Sequence, residues 1–165
     1  MDIKNLKDDQ LENLIGNYAR KGVSTGGPFP LDVCMRERAM RQPTEFDVNQ
    51  TFDAIVEMSR NSEDGTITYG ALFERLSGGR PFVGHHSLKN IGNALGKVVA
   101  RCINEKLPIL TALVVPQNGM ITQKAIENIY EESRRLGKPV PPNPNEFYEQ
   151  QLRDSRELIR RLEKE

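Results

Sequence analysis

The chain has no tryptophan, only two cysteines and two histidines, and no net charge across its 165 residues. Each shortage excludes something. Cys34 and Cys102 stand far apart, outside any Cys-x-x-Cys pair or Cys/His cluster, so a zinc site is not expected and the fold does not require a disulfide. No apolar run approaches the ~20 residues that cross a bilayer, and Met1-Asp2-Ile3-Lys4 does not open a signal peptide; the expectation is a cytoplasmic protein with no membrane partner. No nucleophile–base pair and no ligand cluster can be assembled from sequence neighbours. Asp53 and Glu57, four apart, read as a solvated pair, and the adjacent His85 and His86 do not suit one ion. The expectation is therefore a protein that is not an enzyme, with no catalytic residue, no metal and no cofactor.

What is there is a helical pattern with much charged surface. Charged residues make up 28 % of the chain and aromatics 6 %, which suits a helical globular protein and not a disordered one, because apolar residues recur throughout and the charges balance. The zero net charge argues at first against nucleic acid, but its distribution reverses that. Residues 65–106 hold 6 Lys/Arg against 2 Asp/Glu, whereas residues 1–64 hold 8 against 12 and residues 107–165 hold 9 against 9. Screening over ~8 Å at physiological salt makes the local excess the quantity that a phosphate meets.

Apolar spacing marks the elements. Leu11, Leu14, Ile15 and Tyr18 define a first helix ending at Gly22. A Gly/Ser/Pro-rich loop follows, then a short helix over Leu31–Arg41, closed by Pro43. Asp47 caps a third helix with Val48, Phe52, Ile55 and Val56 on one stripe. Asn61-Ser62-Glu63-Asp64-Gly65 breaks it; Ile67-Thr68-Tyr69-Gly70 leads into a short helix with Leu72, Phe73 and Leu76. A loop runs from Ser77 to about His86, and Ser87 caps a long helix to about Lys106. On that helix Leu88, Ile91, Leu95, Val98, Val99, Cys102 and Ile103 share the apolar face. Lys89, Asn93, Lys97 and Asn104 lie opposite, with Asn90 and Arg101 beside them, and no carboxylate precedes Glu105. Gly92 and Gly96 each cost ~1 kcal/mol against alanine in mid-helix, which implies the close approach of another backbone.

Ile109–Val115 is β-branched and apolar, and Pro116-Gln117-Asn118-Gly119 supplies a hairpin turn into a return strand from Met120. Thr122 caps a further helix, Lys138–Pro144 is a stiff proline spacer, and a last helix from Asn145 carries Tyr148, Leu152, Ile159 and Leu162, its stripe broken by Ser155. The expected fold is mainly α: a winged helix-turn-helix core with a small two-stranded wing, flanked by N- and C-terminal helices. Its divisions are an N-terminal helical extension over 1–46, the winged helix-turn-helix domain over 47–122 and C-terminal helices over 123–165.

Gly65-Thr66-Ile67-Thr68-Tyr69-Gly70-Ala71-Leu72, then Ile91-Gly92-Asn93-Ala94-Leu95-Gly96-Lys97, then Leu107-Pro108-Ile109 and Val114-Val115 before Gly119, follow one known order. It resembles the DNA-binding domain of the alkylguanine-DNA alkyltransferases and alkyltransferase-like proteins, over about residues 48–121. More loosely, it looks like winged-helix domains found beside HNH-type restriction nucleases and in prophage proteins. The alkyltransferase resemblance implies that Tyr69 helps rotate a nucleotide. Lys89 stands where the family has an arginine that fills the vacated base stack; it is cationic but offers no planar group. Thr111 and Ala112 stand where the family has its reactive cysteine and histidine, so alkyl transfer is not expected.

The long helix is the second of a helix-turn-helix and therefore the one that enters a major groove. Asparagine pairs with adenine, and lysine reaches guanine or phosphate. The candidate DNA-binding residues are Tyr69, Arg80, His85, His86, Ser87, Lys89, Asn90, Asn93 and Lys97, with double-stranded DNA as the expected partner. Each has a plainer reading: Tyr69 as core, the loop residues as a mobile turn, the polar row as a solvated face. The competing expectation is a protein-interaction module on the same scaffold, holding its partner through the N- or C-terminal helices.

Overall fold

A computed structural model describes residues 1–164. They form a mainly helical fold with one two-stranded parallel sheet. The helices are α1 (Asp8–Lys21), α2 (Leu31–Arg41), α3 (Val48–Arg60), α4 (Tyr69–Ser77), α5 (Gly84–Asn104), α6 (Gln123–Arg135) and α7 (Pro144–Glu163). The strands are β1 (Ile67–Thr68) and β2 (Val114–Val115), paired Ile67 to Val114 and Thr68 to Val115.

Side-chain caps explain several helix starts. Asp47 accepts from the amides of Asn49 and Gln50, Thr68 from Ala71, Thr122 from Ala125 and Asn143 from Asn145, each satisfying donors that a first turn leaves unpaired. One large core runs from Phe46 to Ile159. It takes Ile55 from α3, Leu72 from α4, Ile91 and Val98 from α5, Leu110 and Leu113 from the segment after α5, and Phe147 from α7. A second, small core joins α1 to α2 through Leu11, Tyr18 and Cys34. Met35, Ala39 and Met40 on the other side of α2 pack on the main core. Arg36 reinforces this seam, donating to Asn104 Oδ1 at 2.7 Å and to the Leu136 carbonyl at 2.7 Å. Arg41 is held by Glu37 and Asp8. The arginines of α2 are thus ties between elements, Arg38 reaching Glu12 of α1 as well.

Three expectations change. The segment 109–115 is a 3-10 turn over Leu110–Leu113 followed by two strand residues, not a full strand. Only Val114–Val115 join a ladder, with β1, and the earlier residues take partners from α7. Ile109 N–H donates to Gln151 Oε1 at 2.9 Å, Ser155 Oγ to the Ile109 carbonyl at 3.3 Å, and Tyr148 Oη to the Ala112 carbonyl at 3.0 Å. Ser155, which interrupts the apolar stripe of α7, is fully buried for that contact. The wing hairpin is also absent among the described residues. The turn at 116–119 forms, with Gly119 at φ +75° and its N–H on the Pro116 carbonyl, but it delivers the chain to the Thr122 cap of α6. Met120, at the start of the expected return strand, is exposed and unpaired with β2, whose partner is β1. Finally, α5 begins at Gly84, three residues before the expected cap. Gly84 holds φ +69° there, a conformation that glycine adopts without a Cβ clash.

Candidate nucleic-acid interface

The turn between α4 and α5 is built on aromatic contacts. Phe73 of α4 meets Phe46 edge-on at 5.6 Å on one side and Phe82 at 5.6 Å on the other, a geometry that favours ring edges over ring faces. The Arg80 guanidinium lies 5.4 Å from the Phe73 centroid. With Phe82 anchored, the chain turns through Val83 into α5, and the first turns of that helix project past the core. Val83, His85, His86, Leu88 and Lys89 are all exposed.

The structure divides the expected site residues into three groups. His85, His86, Lys89 and Asn93 share the exposed outer face of the first half of α5. The second group is occupied. Glu45 accepts from Arg80 through one carboxylate oxygen and from Asn90 through the other, so an acidic side chain beside the Phe46 anchor covers two candidate donors. Asn90 also lies 3.4 Å from His86 Nε2. The third group is turned inward. Ser87 is buried, and its hydroxyl accepts from the Val83 amide at 3.3 Å, closing the first turn of α5 instead of facing outward. Tyr69 opens α4 half-buried against the core, where burial pushes its phenol pKa up. It makes none of the ring contacts that join Phe46, Phe73 and Phe82.

The polar row does not continue along the helix. Lys97 is half-buried in a groove beside α2 and α6. Arg101 lies flat on Phe52 at 3.8 Å from the ring centroid and pairs with Glu105. Asn104 is taken by Arg36. Leu88, placed by periodicity on the apolar face, is 46 % exposed. Spacing along the chain gives no sign that Glu45 meets Arg80 and Asn90. The nearest signal was its place between Pro43 and Phe46, where a break followed by a buried aromatic fixes a loop against the core.

Neither cysteine is poised for chemistry. Cys102 is buried and desolvation pushes its thiol up to about 11; Cys34 is raised for the same reason. A thiol held protonated is a poor nucleophile and a poor ligand. Thr111 and Ala112 are both buried. Among the described residues no group of three His, Cys, Asp or Glu side chains is placed to hold a metal ion, and no helix is long and apolar enough to cross a membrane. Comparison with family models, with curated proteins and with solved structures yields no match.

Proposed function

We propose that the chain binds double-stranded DNA, without chemistry of its own, by laying the first half of α5 in a major groove. The observation that carries this reading is the exposed outer face of His85, His86, Lys89 and Asn93 on a helix without a carboxylate. Its setting supports the reading. α3, α4 and α5 pack on one another in the order of a helix-turn-helix, and α5 is its second helix. The first-turn amides of α5 have no side-chain cap, so the helix end adds its dipole to phosphate attraction. On this reading the fold is a winged-helix relative in which β2 pairs with β1 and the wing is reduced to the turn at 116–119. Lys89 then serves as a phosphate or base contact and not as a stacking wedge.

A second reading, a protein-interaction module, is favoured by one observation. Glu45 already occupies Arg80 and Asn90, which lowers the local positive charge.

Fluorescence anisotropy of a labelled generic duplex separates the two. The DNA reading expects binding that weakens steeply between ~50 and ~200 mM salt. Lys89→Ala with Asn93→Ala should lower affinity, and Lys89→Ala should flatten the logarithmic salt slope by about 0.9 for its one phosphate. Absence of wild-type binding at the lowest salt overturns this reading in favour of the second.

A further inference from the structure

A groove of about 440 Å³ runs between α2, α5 and α6, within the size range of small-ligand and short-peptide sites. Cationic side chains reach it from all three helices: Arg38, Lys97 and Arg135. Arg38 is shared with Glu12 at 3.3 Å; Lys97 and Arg135 have no ion-pair or hydrogen-bond partner among the described residues. Glu132 lies among them with its carboxylate likewise unpartnered, and burial pushes its pKa up while Arg135 pulls it down.

The floor of the groove is formed by Gly92 and Gly96. Each is a mid-helix glycine, disfavoured by ~1 kcal/mol against alanine, and the fold requires neither. A Cβ at Gly92 would meet nothing within 4 Å. At Gly96 it would meet only the Glu132 Oε1 at 3.1 Å, the movable end of a long side chain. The backbone whose approach these glycines permit is not supplied by this chain.

The geometry points to a docking site for a short acidic peptide segment of another protein, its main chain lying against Gly92 and Gly96. Acidic side chains of the segment pair with Lys97, Arg135 and Arg38. A main-chain N–H donates to Glu132, which as a carboxylate is an acceptor only. The same carboxylate disfavours a phosphodiester strand, which brings negative charge and no donor to that point. The groove adjoins the proposed DNA face at Gly92 and Asn93, which line it with Gly96 and Lys97, but its charged groups, Arg38, Lys97, Glu132 and Arg135, lie outside that face.

The test is a titration of the isotope-labelled full chain with a blocked tetrapeptide of alternating Glu and Asp, followed by two-dimensional amide NMR. Saturable shifts are expected at Gly92 and Gly96, and Gly92→Leu, which fills open space on a helix, should weaken binding by about tenfold or more, equivalent to ~1.4 kcal/mol. Lys97→Glu should do the same and carries the test if Gly92→Leu loses its fold by circular dichroism. Absence of a saturable shift at millimolar peptide, an equal response to a lysine tetrapeptide, or stronger shifts of the same resonances by a four-nucleotide DNA strand would each overturn the proposal. DNA binding measured by anisotropy is a separate readout, so failure here leaves that reading to its own test.

Discussion

The two halves of α5 share one inner face and differ in what lies outside it. Ile91 in the first half and Val98 in the second are both fully buried in the same core. On the outside, Lys89 and Asn93 are exposed, whereas Ala100 is fully buried and the Asn104 side chain is bonded by Arg36 of α2. One amphipathic helix therefore presents two different surfaces. The polar row is available for a partner only where no second layer of chain crosses it.

Substitutions can break or sharpen that contrast. The largest effect is expected at Ala100→Leu, which inserts volume at a fully buried position of the main core. Overpacking of this kind costs about 1–3 kcal/mol, measured as a lower urea midpoint with an unchanged slope. At Gly92, facing open space, the added methyl of Gly92→Ala should raise stability by up to ~1 kcal/mol, because it removes only the helix penalty of glycine. A loss of stability there would mean that the outer face is closed at that turn too. Glu45→Gln should tighten duplex binding about two- to fivefold, in keeping with the small worth of a solvent-exposed ion pair, by freeing Arg80 and Asn90. An unchanged affinity would place Arg80 outside the interface.

The smallest effect concerns Glu132. Burial raises its carboxyl pKa above the ordinary value, so between the two values the folded protein holds more protons than the unfolded chain. Stability then falls as pH rises through that window and recovers as pH drops below it. Glu132→Gln should remove this dependence, so that urea midpoints across the acidic range lose that component of their slope; an unchanged slope would show the carboxylate to be solvated.

Much of the fold was legible because its signals are local. The caps at Asp47 and Thr122, the stop at Gly22 and the stripe Phe52–Ile55 each rest on residues within a turn or two. The segment 109–115 was not legible as it stands, because β-branched residues read as a strand whatever satisfies their backbone. Here the partners are Gln151, Tyr148 and Ser155, some forty residues onward. Ser155 showed only as a flaw in an apolar stripe, and a serine that breaks a stripe looks the same whether it faces water or a buried carbonyl. The candidate site divides in the same way. The exposure of Lys89 and Asn93 follows from helical periodicity. The bond from Arg36 to Asn104, and the hold of Glu45 on Arg80 and Asn90, depend on how distant segments pack, which spacing does not encode.

The most direct test of the central claim is amide NMR of the isotope-labelled chain titrated with a short generic duplex at low salt. Shifts are expected to concentrate over residues 80–93, with Lys89 and Asn93 among the largest and the 98–104 stretch of the same helix unmoved. Shifts confined to α6 and α7, spread evenly over both halves of α5, or absent altogether would contradict it.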